Sequence, residues 1–197
     1  MRVLLVNNFH YLRGGAERSY FDTARLLEEK GHQVAFFSTV HENNSPTYWS
    51  KYFVSYYDLE KKHGLLDKSR IIKRFFYNRE AKKKIRELIK EFQPEVAHLH
   101  NIYHHLSPSV IDELKRQGVP VVMTLHDHKL ISPNYNLFAR GHIWERSKKR
   151  KYYRCVLDKC IKDSYGKSLI CSLEAYFHHL LGIYNKVDFF ISPSRFL

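Results

Sequence analysis

The sequence has no apolar run long enough to cross a membrane. None approaches the roughly 20 residues of a transmembrane helix, and polar residues bound every strand-like run. The first apolar stretch, Val3 to Val6, is also too short for the core of a secretory signal peptide. We therefore expect a cytoplasmic protein and not an integral membrane protein.

Cysteine is scarce, with 3 residues in 197. A small, odd number is typical of a reducing compartment, where thiols stay free. Cys155 and Cys160 lie close together, but the second close pair that a four-ligand zinc site needs is missing. A histidine could in principle join them (His142, His178 or His179). We predict three reduced structural thiols and no metal site.

Two glycine-rich nucleotide motifs are missing as well. The first predicted strand leads, after a turn of 7 residues, to the single pair Gly14-Gly15. The spacing G-x-G-x-x-G is absent, and no G-K-[ST] follows the glycines as it would in a P-loop. This pattern argues against a standard nicotinamide or flavin site, and we expect no cofactor.

Positive charge is concentrated in two segments. The formal net charge is +13; residues 61–90 carry 12 Lys or Arg against 3 Asp or Glu, and residues 140–168 carry 10 against 3. Such segments suggest an anionic partner, namely acidic phospholipid headgroups, phosphorylated substrates or nucleic acid. The alternative is a solvated face that only keeps the protein soluble.

Apolar runs bounded by turn signals predict strands that are buried on both faces. With 44% hydrophobic residues, the 197 residues suffice for one folded domain with a sizeable core. The predicted strands cover residues 2–7, 33–38, 95–100, 121–125 and 187–191.

Helical patterns alternate with these strands. One helix is predicted over residues 16–30 and ends at Gly31. Another covers residues 107–117, with Ser107 as N-cap, Pro108 at the first helical position and Gly118 as the stop. The alternation indicates an α/β fold with a doubly wound parallel sheet.

An insertion at about residues 43–92 interrupts this alternation. Its first part is rich in aromatic residues and is predicted as a long excursion between the second and third strands. Apolar residues then recur at helical spacing from Ile71 to Phe92, with lysines and Arg86 at polar positions. This spacing predicts one long basic amphipathic helix. Its apolar side packs in the core or, alternatively, lies on a membrane surface.

Polar residues follow the predicted strands at the edge where open α/β sheets bind ligands. They are Asn7, Asn8, His10, Ser38, Thr39, His100, Asn101, His126, Asp127 and Ser192. Histidine is the side chain most readily tuned to exchange a proton near neutral pH. A single histidine is more often a packed or surface residue, so the prediction of a site rests on the whole set.

The turn before the first helix has the form of an anion site. Free N–H groups and the positive end of the helix dipole point toward Gly14 and Gly15. Glycine suits these positions because a Cβ would hold a phosphate away from the backbone. A glycine pair is also a common turn device, and the residues alone leave both interpretations open.

Three ordered segments are more specific than any single motif. They are Gly14-Gly15-Ala16-Glu17, the strand end Leu99-His100-Asn101, and His126-Asp127 followed by Ile131-Ser132-Pro133-Asn134-Tyr135. Together they resemble the family 4 glycosyltransferases, which are retaining, nucleotide-sugar-dependent enzymes of the GT-B fold. The final segment, residues 187–197, resembles the family's crossover into its second domain.

The resemblance implies a fold and a domain organisation. Residues 1–197 would form the Rossmann-like amino-terminal domain, which holds most of the acceptor site, and the carboxy-terminal nucleotide-sugar domain would be absent. The chain alone is therefore expected to be inactive. Many relatives have cysteine where Ser132 stands and near Trp144 and Ser147, so we do not expect a cysteine-based structural site.

The resemblance also implies residue roles. Gly14 and Gly15 would lie beside the donor diphosphate, where N–H groups can stabilise the departing group. His126 would be the catalytic residue beside the transferred sugar. Further substrate-binding residues would be His100, Asn101 and Asp127. The leaving diphosphate would help to take the acceptor proton, so no enzymic nucleophile is expected.

The implied function is transfer of a sugar from a nucleotide-sugar donor to a glycan or lipid-linked acceptor, in cell-surface polysaccharide or glycolipid synthesis. The basic segments 61–90 and 140–168 would hold the enzyme against the inner face of the cell membrane.

Two other functions remain as alternatives. One is a stand-alone nucleotide- or phosphate-binding module, and the other is a nucleic-acid-binding protein. No recognised nucleic-acid-binding motif is present, so we expect no nucleic-acid partner.

Overall fold

A computed structural model describes residues 1–58 and 64–195. Its strands are β1 (Arg2–Val6), β2 (Gln33–Phe37), β3 (Val96–Leu99), β4 (Val121–Thr124), β5 (Phe138–Ala139), β6 (His142–Ile143) and β7 (Phe189–Ile191). Five of them form a parallel sheet in the order β2-β1-β3-β4-β7, and β5 and β6 form a separate antiparallel hairpin. The predicted Rossmann-like α/β class and all five predicted strands are confirmed, with strand ends shifted by one or two residues.

Helix α1 (Gly15–Glu29) covers one face of the sheet. Its Tyr20 and Ala24 are buried against Val3 and Leu5. The helix ends as predicted before Gly31, whose φ of +77° lies in the left-handed region that glycine adopts readily.

The opposite face of the sheet carries the larger core. Helices α3 (Arg79–Phe92) and α4 (Ser109–Arg116) pack there against alternate strand residues such as Leu4 and Leu99. Helix α4 begins at Ser109, so the N-cap is Pro108, and the predictions of Ser107 as N-cap and Pro108 as the first helical residue are each wrong by one position. Ser107 has a φ of +61°, and its Oγ still accepts from the Ser109 N–H (3.3 Å).

The prediction of one long basic helix in the insertion is wrong, because its described residues form two separate α-helices there. Helix α2 (Leu65–Phe76) ends before Tyr77, which is extended, and Asn78 caps α3 by accepting from the Ala81 N–H (3.1 Å). The Asn78 backbone N–H also donates to Ser107 Oγ (2.9 Å), which fixes the break. Lys61 and Lys62 of the predicted basic segment, and Phe196 and Leu197 of the predicted crossover, lie outside the described residues.

Residues between β6 and β7 add helices α5 (Tyr153–Leu157) and α6 (Tyr165–Leu180), which the sequence analysis did not predict. Cys155 and Cys160 form a disulfide, so the prediction of reduced thiols is wrong for this pair. The chain reverses after α5 at Lys159, whose φ is +48°, and this reversal brings the two Cα atoms to 4.9 Å. Cys171 is a buried free thiol.

No helix within the described residues is both long and apolar enough to span a bilayer.

Candidate functional site

The carboxyl ends of β1, β3 and β4 lie side by side because these strands are neighbours in the sheet. Asn7 joins the loops that leave this edge: its Oδ1 accepts from the Asn101 N–H (3.0 Å), and its Nδ2 donates to the Phe9 carbonyl (2.9 Å). The hydroxyl groups of Ser38 and Thr39 both donate hydrogen bonds to the Asn8 carbonyl at this edge. These buried residues hold the edge in shape.

The glycine turn is open to solvent at the start of α1. Gly14 has an extended backbone that any residue can adopt, and it provides no side-chain cap for the helix. A Cβ at Gly14 would come within 3.6 Å of Glu17 Oε2, an ordinary contact, and a Cβ at Gly15 would meet nothing within 4 Å. Neither packing nor backbone strain in this structure therefore requires glycine at these two positions.

Glu17, for which the sequence predicted no role, also lies at this edge of the sheet. It lies in the first turn of α1, is buried, and accepts from Asn7 Nδ2 (3.3 Å). Its negative charge raises the pKa of His126, although burial has the larger, opposite effect. Glu17 thus couples the glycine turn electrostatically to the end of β4.

His100 and His126 form a hydrogen-bonded pair across the ends of β3 and β4. His100 Nδ1 lies 2.9 Å from His126 Nε2, and the two rings stack with their centroids 5.1 Å apart. His98 also belongs to this group: its ring centroid is 4.5 Å from that of His100, and its Nε2 is 2.7 Å from Thr124 Oγ1. His98 was not among the predicted site residues, although its spacing of two from His100 along the strand places both on the same face.

The histidine cluster is uncharged near neutral pH. Burial, with smaller repulsion from its histidine neighbours, lowers the pKa of His100 from 6.5 to about 2. Burial and the proximity of His126 lower the pKa of His98 to about 4. Burial also lowers the pKa of His126. Such rings act as neutral hydrogen-bonding groups near pH 7, where a positive charge on them would be costly.

The predicted binding residues differ in their accessibility. His100 is 0% exposed, so it reaches a ligand through His126 and not by its own surface. Asn101 and Asp127 are both partly exposed. Burial raises the pKa of Asp127, and its Oδ1 accepts from the Lys129 N–H (2.9 Å). Asn101 Oδ1 is buried and has no hydrogen-bond partner in the part of the chain that the structure describes.

A buried ion pair supports the loop after Asp127. Lys129 Nζ lies 2.7 Å from Glu174 Oε2, and both side chains are almost completely buried. Burial by itself would lower the pKa of Lys129, but the Glu174 carboxylate raises that pKa above its usual value. Burial would raise the pKa of Glu174, but Lys129 and His104 hold that pKa far below its usual range. This pair ties the loop to α6 and was not visible in the sequence.

An open parallel sheet with helices on both faces binds its ligands at the carboxyl ends of its strands, and this chain is a domain of that class. The family model for Glycosyltransferase Family 4 matches residues 13–160, well over half of the chain. The chain belongs to that family, as its motifs predicted.

This chain matches only part of the length of each relative. An "Uncharacterized 42.6 kDa protein in cps region" from Klebsiella pneumoniae is 29% identical in an alignment of 180 residues that covers 76% of this chain and 45% of that protein. The chain thus spans less than half the length of that relative. A crystal structure of MurG from Acinetobacter baumannii is similar over 62% of this chain and 34% of the MurG chain, with 15% sequence identity and a TM-score of 0.41.

Proposed function

We propose that the chain is the amino-terminal, acceptor-side domain of a retaining GT-B glycosyltransferase. The enzyme transfers a sugar from a nucleotide-sugar donor to a glycan or lipid-linked acceptor in cell-surface polysaccharide or glycolipid synthesis. The main support is the His100–His126 pair, which lies at the same sheet edge as an open glycine turn in a chain of this family. The donor is a substrate, and the proposal requires no cofactor.

The donor diphosphate is proposed to approach Gly14 and Gly15. The first N–H groups of α1 have no side-chain cap, and the open space beside Gly15 lets a phosphate oxygen come close to the backbone. The N–H groups and the helix dipole would then stabilise the negative charge that builds up on the leaving diphosphate.

His126 is proposed to donate a hydrogen bond to the transferred sugar. His100 Nε2 is buried and has no partner among the described residues, so a proton on that atom would be a buried N–H without an acceptor. We therefore place the His100 proton on Nδ1, where it is donated to His126 Nε2. The proton of neutral His126 then lies on Nδ1, which makes no hydrogen bond within the described part of the chain.

His100 is accordingly a positioning residue that sets the tautomer and ring orientation of His126. Asn101 and Asp127 are proposed to shape the acceptor side of the cleft. Both residues are partly exposed at this edge, and the Asp127 carboxyl lies directly beside His126 in the chain.

The two basic segments are proposed to attract the anionic inner face of the cell membrane, with the enzyme as a peripheral cytoplasmic protein. Each Lys or Arg near such a surface contributes on the order of 1 kcal/mol of attraction. A lipid-linked acceptor would meet the enzyme there.

The test is transfer of labelled sugar from a panel of nucleotide sugars to a membrane lipid extract, with the protein encoded by the whole gene. We expect His100→Phe to lower kcat about 10- to 100-fold while the donor KM changes little, because the ring stays but His126 loses its partner. His142→Phe on the exposed β5–β6 hairpin is the matched control. Wild-type kcat in His100→Phe would refute the role of His100, and absence of transfer from every donor would refute the proposed reaction.

The 197-residue chain alone separates the remaining alternatives. We expect it to transfer no sugar and to bind nucleotides weakly in calorimetry. Tight nucleotide binding would favour a stand-alone binding module, and steeply salt-dependent binding to generic DNA or RNA would favour a nucleic-acid-binding protein.

A further inference from the structure

Helix α6 is apolar on the side that faces away from the protein. Its exposed large residues recur at helical spacing along one face: Tyr165, Leu169, Leu173, Tyr176 and Leu180. Of the 16 residues in the helix, only Lys167 and Glu174 carry an ordinary charge, and Glu174 is buried. A helix on the surface of a soluble domain normally presents charged and polar residues to water, so this outer face is unusual.

The inner face of α6 is already occupied by the protein. Ser172 Oγ donates to the Tyr152 carbonyl (3.0 Å), Glu174 pairs with Lys129, and His178 Nε2 lies 2.9 Å from the Phe76 carbonyl. These contacts fix the rotation of the helix. Its apolar outer face therefore cannot turn inward without breaking the buried ion pair.

Helix α5 extends the same apolar surface. Tyr153 and Leu157, one helical turn apart, are exposed, and the Tyr153 N–H donates to the hydroxyl of Tyr176 on α6 (3.2 Å). We call the seven exposed residues of the two helices the α5–α6 face. The loop between the helices is held by the disulfide and by the Ile161 N–H, which donates to Ser168 Oγ (3.1 Å), so the face is a fixed surface.

The α5–α6 face has a basic border. Lys149, Arg150 and Lys151 are exposed directly before α5. Lys159 Nζ lies 4.4 Å from the ring centroid of Tyr165, so a positive charge is in contact with the face itself.

All three acidic residues of segment 140–168 form ion pairs within the same segment: Glu145 with Lys148, Asp158 with Arg146, and Asp163 with Arg140. The segment carries 10 Lys or Arg against these 3 acidic residues, so its net charge is strongly positive. An apolar surface bordered by Lys and Arg fits the interface of an anionic bilayer, where the side chains enter the acyl boundary and the cations meet the headgroups.

We infer that the α5–α6 face docks on the surface of a membrane that contains anionic phospholipid. The inference deepens the proposed function, since the opposite side of α6 holds Glu174, which binds the loop after His126 and Asp127 through Lys129. The bilayer would then lie about one helix diameter, roughly 10 Å, from that loop. A lipid-linked acceptor could reach the cleft without leaving the membrane.

The experiment is co-sedimentation of the chain with vesicles of mixed phosphatidylglycerol and phosphatidylcholine, and with vesicles of phosphatidylcholine alone. We expect binding to the anionic vesicles at low salt. The double variant Leu169→Ser/Leu173→Ser should weaken it by at least about tenfold, because two half-exposed leucines no longer enter the interface. Lys149→Gln/Lys151→Gln should weaken it about fivefold per charge removed, an effect that high salt reduces.

Leu26→Ser is the matched control for the apolar variant. Leu26 is 48% exposed on α1, on the other side of the sheet, compared with 46% for Leu169 and 49% for Leu173. It should bind vesicles like the wild type. Lys30→Gln, at the exposed end of α1, is the control for the charge variant.

Equal binding by wild type and the double-leucine variant would overturn the inference, as would absence of binding to the anionic vesicles. A dimer in sedimentation velocity that Leu173→Ser dissociates, without vesicle binding, would assign the face to a second copy of the chain and also overturn it. Vesicle binding requires no sugar transfer, so its failure and a failure of the transferase assay are separate results.

Discussion

His10 offers a direct test of how this fold holds its histidines neutral. It lies in the loop before the glycine turn and is 2% exposed. Its Nδ1 is 3.0 Å from the Tyr20 hydroxyl, and aromatic rings surround it (Tyr20, Phe21, Phe36 and Phe53). Burial lowers the pKa of His10 from 6.5 to about 4.

The sign and size of the effect follow from that pKa. The unfolded chain takes up a proton on His10 below about pH 6.5, but the folded chain does so only near pH 4. The neutral ring therefore contributes its full stability above pH 6.5, and that contribution is lost as the pH falls toward 4. Between about pH 7 and pH 5 this one group should reduce the free energy of unfolding by about 2 kcal/mol.

His10→Phe removes the titrating group and keeps a ring of similar shape. At about pH 7 the variant should be less stable by about 1–3 kcal/mol, because the buried Tyr20 hydroxyl loses its partner. At about pH 5 the difference should shrink by about 2 kcal/mol, because the wild type alone loses stability through this residue. Adding Tyr20→Phe should recover most of the loss at neutral pH, since both partners of the hydrogen bond are then gone.

The assay is urea unfolding across this pH range, followed by tryptophan fluorescence and circular dichroism. His142→Phe, on the exposed hairpin, controls for the loss of one imidazole. If His10→Phe and the wild type lose stability equally between the two pH values, the reasoning about buried neutral histidine is refuted.

Two further predictions concern the segment after β4. Glu174→Gln should lower the free energy of unfolding by about 3–5 kcal/mol because it leaves the buried Lys129 without a counter-charge. The double variant Lys129→Met/Glu174→Leu should recover most of that loss. Urea unfolding measures both variants, and wild-type stability in Glu174→Gln would contradict the buried pair. Thiol titration of the denatured, unreduced chain should count one thiol, Cys171, and a count of three would contradict the Cys155–Cys160 disulfide.

The sequence predicted the fold best where the determinants are local. Continuous apolar runs identified all five parallel strands, and Gly31 and Gly118 identified helix ends because both have the positive φ that glycine adopts readily. The break between α2 and α3 was missed. It depends on Asn78, whose Nδ2 donates to the His105 carbonyl (2.6 Å), 27 residues away in the chain. Periodicity within a window carries no information about such a contact.

The candidate site shows the same division between local and distant information. The strand-end rule identified His100 and His126 as residues of one edge, but their hydrogen bond depends on β3 and β4 being neighbours in register. The disulfide was missed because its geometry depends on a left-handed residue, Lys159, that is neither glycine nor asparagine. Lys129 and Glu174 are 45 residues apart and looked like ordinary surface charges.

Helix α6 contacts the candidate site through its inner face and forms much of the α5–α6 face on its outer side. Its inner face, through Glu174, Lys129 and the loop that follows Asp127, is attached to the edge that carries His126. Its outer face is apolar and bordered by cations. Since the ion pair is buried and costly to break, it holds α6 and the site loop in a fixed relation to each other. The helix that is proposed to meet the bilayer is therefore also the helix that is bonded to the loop beside the proposed acceptor site.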